Sequence, residues 1–167
     1  MRILGIDPGY AIVGWGIIDY QGGRFTPQDF GAVLTPAEMP FVKRLQQIYT
    51  DLTTIIERLS PDVMAIEKLY FQNNQKTAIE VAEARGVILL AAQNSGIPIF
   101  EYTPLQVKSA VTGFGQAQKP QVMEMTKRLL RLPQVPKPDD TADALAIAIC
   151  HAQMGGTELK LRIMKGR

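Results

Sequence analysis

Three short runs place carboxylates where apolar residues should lie. "RILGID" carries Ile3, Leu4 and Ile6 into Asp7, which Pro8 and Gly9 follow at once. "VMAIE" ends on Glu67, and "PDDTADALAIAICHA" holds Asp139, Asp140 and Asp143 at the head of a helical pattern. A charge at the tip of a buried strand or on the apolar stripe of a helix is costly unless a cation or a shared proton compensates it. Asp143 precedes Ala146, Ile147 and Cys150 by three, four and seven residues, so it shares their inward face. Asp140 lies on the same side; spacing leaves it either joining the cluster or, like Asp139, capping the helix after Pro138. These are hard oxygen donors, without the His/Cys set that zinc favours. The set suits two Mg²⁺ ions ~3.5–4 Å apart, the arrangement that hydrolyses phosphodiesters, and so predicts a metal-dependent nuclease. Fixed φ at Pro8 and the missing side chain at Gly9 are expected to stiffen the turn behind Asp7 and let a phosphate backbone approach.

The elements that must position these residues follow from periodicity. Arg2 to Asp7, Ala11 to Asp19 and Arg24 to Val33 read as an antiparallel three-stranded meander, broken at "DPGY" and "YQGG". From Pro36 the period becomes helical, with Phe41, Leu45, Ile48, Leu52, Ile55, Ile56 and Leu59 on one face until Ser60-Pro61. "VMAIE" is a buried strand, Gln75 to Asn94 a helix, and "IPIFEY" a fifth strand. Thr103 and Pro104 open a further helix, Lys119 to Leu132 reads as another, and a last one runs from near Asp140 to about Met154. The class is α/β, with a mixed five-stranded sheet of three antiparallel and then parallel strands, flanked by helices. A right-handed crossover makes the fourth strand parallel to the first. If it lies beside the first, Asp7 and Glu67 emerge as neighbours ~4.8 Å apart. The helix from Gln75 is apolar almost all round, and its surplus face, around Val81, Val87, Ile88 and Leu89, is the candidate dimer interface.

At 167 residues, 46% of them hydrophobic, the chain can bury one good core. Apolar runs such as Val87 to Ala92 fall far short of a membrane span, so a cytoplasmic protein with no membrane partner is expected. The adjacent Cys150 and His151 lack metal-ligand spacing and read as packing residues. Net charge is only +2, but it is uneven. Residues 1–67 hold more acids than bases, whereas Lys108, Lys119, Lys127, Arg128, Arg131 and Lys137 face the single Glu124 between Thr103 and Lys137. Lys160, Arg162, Lys165 and Arg167 follow at the C-terminus. A basic half around an acidic centre fits a polyanion grip. The domain plan is a nuclease domain over residues 1–155 and a basic C-terminal tail over 156–167, a candidate for flexibility.

"ILGIDPGYAIVGWG", "AIEKLYFQNNQKTAIEVAEARGV", "YTPLQVKSAVTGFGQAQKPQV" and "DDTADALAIAICHA" resemble, in order, the signature segments of the RuvC family of Holliday junction resolvases, within the RNase H-like superfamily. The resemblance covers nearly the whole chain up to about Gly155. It implies a homodimer that cuts four-way DNA junctions symmetrically with two Mg²⁺ per subunit (Mn²⁺ substituting), leaves ligatable 5′-phosphate ends, and works with the RuvA and RuvB branch-migration proteins in recombination and repair. By motif position Asp7, Glu67, Asp140 and Asp143 match the family's metal-binding carboxylates. Lys108 in "QVKSAV" and Lys119 in "AQKPQV" match its basic residues near the scissile phosphate. The family usually has Phe three residues after the catalytic Glu as a wedge against unstacked junction bases. Here Tyr70 stands there with Phe71 next, and either ring can supply the stacking face.

Other readings give different outcomes. An actin-like ATPase also starts with an apolar strand, Asp and Gly, but needs a second lobe for which there is no room; ATP binding would revive it. A same-fold nuclease acting on structured RNA would prefer RNA to four-way DNA, and a non-catalytic scaffold would bind a junction without cutting it.

Overall fold

The structure, a computed structural model, describes residues 1–69 and 77–165. Strands β1 (Arg2–Asp7), β2 (Ile12–Gln21) and β3 (Arg24–Leu34) form the antiparallel meander. Gly22 and Gly23 turn β2 into β3 at φ +56° and +79°, a left-handed path that glycine takes without the clash of a Cβ. Helix α1 (Phe41–Leu59) buries Ile48, Leu52, Ile55 and Ile56, and Ser60 closes it in the left-handed region with its N–H donating to Ile56 O. Strand β4 (Val63–Glu67) returns parallel to β1, and β5 (Ile99–Tyr102) lies parallel to β4, so the sheet order is β3-β2-β1-β4-β5. The helices α2 (Ala78–Asn94), α3 (Pro104–Thr112), α4 (Lys119–Leu129) and α5 (Asp139–Lys165) complete the chain.

Alternation along the strands sorts the side chains into two cores. Leu4, Ile6, Met64 and Ile66 pack against α1 and α2. Ile3 and Ala65, one residue out of step, pack under α3, α4 and α5. Asp7 and Glu67 share the parity of Ile3 and Ala65 and therefore face the α5 side.

Helix α5 lies directly on the sheet because glycines line its track. A Cβ on Gly5 would sit 2.0 Å from Ala144 O, and one on Gly14 the same distance from Asp140 O. Thr141, fully buried, donates from Oγ1 to Gly31 O at 3.0 Å and ties the first turn of α5 to β3. Thr103 caps α3 as expected: its Oγ1 accepts from Gln106 N, while Gln106 Oε1 accepts from Thr103 N.

Several observed helix ends differ from the expected ones. Helix α2 is described from Ala78 rather than Gln75, residues 70–76 lying outside the described set. Helix α4 ends at Leu129, and Arg131 turns to φ +54° shortly after. Helix α5 runs past Met154 to Lys165. Gly155 and Gly156 cost a helix only about 1 kcal/mol each, which the Leu, Lys, Arg and Met residues that follow can offset. The surplus face of α2 is also corrected: Ile88 is fully buried, and Val87 and Leu89 pack partly into the same core. Ile79 and Leu90 are the large apolar residues that α2 exposes. Cys150 and His151 are buried, as packing residues should be. Among the described residues no helix is long and apolar enough to cross a membrane.

Candidate active site

The register of the two central strands builds the centre of the site. Ile6 pairs with Ile66, so Asp7 and Glu67, the next residues in each strand, end side by side at one edge of the sheet and on one face. The bare track under α5 brings its first turns over that edge, carrying Asp140 and Asp143. Glu67 and Asp143 line a cleft of about 260 Å³ whose other wall holds Lys108 from α3 and Lys119 from the start of α4. Lys119 Nζ lies 2.8 Å from Asp143 Oδ2.

The electrostatics are those of crowded acids. Burial raises the Asp7 carboxyl well above the usual carboxylate range, and Asp143, Glu67 and Asp140 raise it further. Burial, followed by Asp143, lifts Glu67 to about 7, although Lys108 and Lys119 pull it down. Asp143 is raised mainly by burial, against the opposing hydrogen bond from Lys119. Burial lowers the Lys119 ammonium, but its hydrogen bond to Asp143 and the surrounding acids win and raise it. Among the described residues no three Asp, Glu, His or Cys side chains group closely enough to hold a metal ion as they stand. Like charges repel at such a centre, and Lys119 stands against Asp143 where a cation is wanted. The donor chemistry nevertheless fits a hard divalent ion: the groups are all carboxylates, and their excess negative charge is what such an ion relieves.

Asp7, Glu67, Asp140, Asp143, Lys108 and Lys119 thus meet at one end of the sheet. Tyr70 and Phe71 lie outside the described residues. Gly9 has a structural reason of its own: a Cβ there would lie 2.2 Å from Ile12 O, so the tight turn behind Asp7 itself requires a bare Cα. Sequence reasoning also missed Arg44. This buried α1 residue donates from Nε to Thr35 Oγ1 at 2.8 Å and from Nη2 to Thr35 O at 3.1 Å, and its guanidinium stacks over the Tyr10 ring. Thr35 Oγ1 in turn donates to Tyr10 O, and Thr35 N to Ala11 O. Arg44 therefore braces the Pro8–Ala11 turn directly behind Asp7. Its one advance signal was a charge beside Leu45 at the inner edge of the α1 stripe.

A mixed sheet in this order, with acids at the ends of its two central strands and on the helix that covers them, defines a nuclease of RNase H-like fold. The family model described as "Crossover junction endodeoxyribonuclease RuvC" matches residues 3–151. The chain belongs to the RuvC family, whose members are metal-dependent nucleases. The "Crossover junction endodeoxyribonuclease RuvC" of Brevibacillus brevis is 56% identical over 153 residues, covering 92% of each chain. A solved structure of Thermus thermophilus RuvC superposes with TM-score 0.88 at 33% identity, covering 95% of this chain and 97% of that one. A second structure, of T. thermophilus RuvC in complex with Holliday junction substrate, gives 0.86 at 31% identity, with 94% and 96% covered.

Proposed function

We propose that this chain resolves Holliday junctions: as a homodimer it binds four-way DNA and nicks two opposed strands symmetrically, leaving ligatable 5′-phosphate ends. The observation that carries the reading is the cleft in which Glu67 and Asp143, both raised by burial, meet Lys108 and Lys119, in a chain that belongs to the RuvC family. RuvA and RuvB are its expected partners, recombination and repair its setting, and the cytoplasm its place. Residues 1–155 act as the nuclease domain, with 156–167 as a basic extension.

Asp7, Glu67, Asp140 and Asp143 would hold two Mg²⁺, or Mn²⁺ in their place. Such ions lower the pKa of an attacking water and neutralise charge on the phosphate. The chain's own contribution is to hold the acids rigidly: Asp7 and Glu67 by strand register, Asp140 and Asp143 by the glycine track. Lys119 and Lys108 reach the same cleft and donate to the scissile phosphate, positioning it and stabilising the charge that builds during cleavage. Tyr70 or Phe71 supplies the ring that stacks on unpaired bases at the junction centre. A four-way junction has approximate two-fold symmetry, and two paired nicks call for two equivalent sites, which a C2 dimer provides.

Cleavage of a synthetic four-way junction, matched linear duplex and structured RNA, each with and without Mg²⁺, tests the assignment. Paired nicks in the junction alone are expected. Equal cutting of duplex would overturn junction selectivity, and preferred cutting of RNA would move the substrate to the other nucleic acid.

A further inference from the structure

The turn between α3 and α4 holds an exposed aromatic ring in a fixed position. Phe114 is 59% exposed, yet its backbone is pinned on both sides. Its N–H donates to Thr112 Oγ1 at 3.1 Å, and its carbonyl accepts from Ala117 N at 3.1 Å. Thr112 Oγ1 also lies 2.8 Å from Lys108 O, so one hydroxyl joins the lysine's turn to that of the ring. Gly113 supplies the left-handed residue that ends α3, at φ +77°. Gly115 then packs so closely on α3 that a Cβ there would meet Leu105 Cγ at 3.0 Å, and Leu105 is itself 62% exposed. Leaving two large apolar side chains in water on a rigid turn is the mark of a contact surface rather than of a loose loop.

Its surroundings select the occupant. Phe114 lines a groove with Pro120, Gln121 and Arg128, and Pro120 follows Lys119 in the first turn of α4. Lys119 lines the acidic cleft and Pro120 the groove, so the two open from adjacent residues at the start of α4. Its acid, Glu124, is already paired with Lys127 and Arg128, which leaves the surface positive. An aromatic ring in a groove with Arg128, opening one residue along α4 from Lys119 of the acidic cleft, matches a nucleic-acid strand: the cations meet phosphates, and the ring meets a base or sugar.

We propose that Phe114 is a DNA contact that packs on the nucleotide flanking the scissile phosphate and so sets how the strand enters the cleft. This rests on the junction-resolving reading above.

The test uses the full chain with Phe114→Ala and Phe114→Trp, and a junction carrying 2-aminopurine at successive positions around the cut. Because the sequence has one tryptophan, Trp15, and it is buried, the wild type supplies the background emission for the new indole. With Mg²⁺ replaced by Ca²⁺ to hold cleavage back, Phe114→Trp emission is expected to change on adding junction, and one 2-aminopurine position to respond to the wild type but not to Phe114→Ala. With Mg²⁺, Phe114→Ala is expected to lose about tenfold in junction cleavage and to redistribute its cuts, while Phe114→Trp retains most activity. Two results overturn the proposal. One is a folded Phe114→Ala protein, with unchanged circular dichroism and Tm, that cuts at the wild-type rate and positions. The other is Phe114→Trp emission that responds to protein concentration and not to DNA, which would assign the surface to a second copy. If the wild type itself fails to cut the junction, the functional reading fails instead, so the two failures are told apart.

Discussion

At the scale of single residues, the site is a concentration of unfavourable charge. Asp7→Asn keeps the shape of the centre but removes a full negative charge, so it should abolish cleavage by at least ~10³-fold while still binding the junction in a gel-shift assay. If it cuts as well as the wild type, Asp7 plays no part in the chemistry. Glu67 offers a thermodynamic counterpart. Its carboxyl is raised to about 7 in the folded chain against 4.5 in the reference state, so between those values the native state binds more proton than the unfolded one. Metal-free protein should therefore lose stability as pH rises from about 4.5 to about 7, by roughly 2 kcal/mol. Glu67→Gln should flatten that slope, and Mg²⁺ should restore stability at neutral pH. Urea denaturation at pH 5 and 7.5 checks the sign; a slope unchanged by the substitution would mean that other groups carry it. His151 works in the opposite direction. Burial lowers it to about 4 from 6.5, so the stability it contributes is present above 6.5 and is lost as pH falls toward 4.

At the scale of elements, two close contacts decide whether the acids meet. Gly14→Ala would push a methyl group into the Asp140 carbonyl, forcing the first turn of α5 away from β2. The expected cost is ~1–3 kcal/mol of stability with a larger fractional loss of cleavage, measured by thermal unfolding and junction nicking side by side. An activity loss no greater than the stability loss predicts would show that the helix position is not critical. Arg44 braces the other side. Arg44→Lys retains the charge but lacks the planar fork that spans Thr35 Oγ1 and Thr35 O. It should lower kcat several-fold with little change in junction affinity, because what it loosens is the turn behind Asp7 rather than a DNA contact. Weaker binding at unchanged kcat would instead make Arg44 a binding residue.

At the scale of the whole molecule, the paired cutting proposed above calls for a second subunit. Helix α2 leaves Ile79 and Leu90 exposed at 70% and 51%, the observation that favours this face for pairing. Leu90→Glu should shift the sedimentation coefficient toward the monomer and convert paired cuts into single nicks. A dimer of undiminished stability would move the interface elsewhere. Binding should also weaken steeply with salt, since the basic residues of α3 and α4 displace counterions from phosphates.

The amino-acid sequence by itself determined the element order, the parallel return of β4 and which carboxylates end the two central strands, because alternation, helical period and turn residues act over short distances. It also placed Asp143 on the inward face of its helix, since that follows from 3.6-residue geometry alone. What the tertiary structure decided was everything set by contacts between distant residues. Gly5 and Gly14 read as ordinary strand residues until α5 lay on them, and the turn's own need for Gly9 showed only in the Ile12 carbonyl that packs against it. Ile88 read as surplus apolar surface until α1 and the sheet covered it, and Arg44 had no assigned role until Thr35 and Tyr10 enclosed it. Local pattern tells a side chain which way to point. Only the packed fold supplies the atoms it meets there, and with them the burial that raises Asp7 and Glu67.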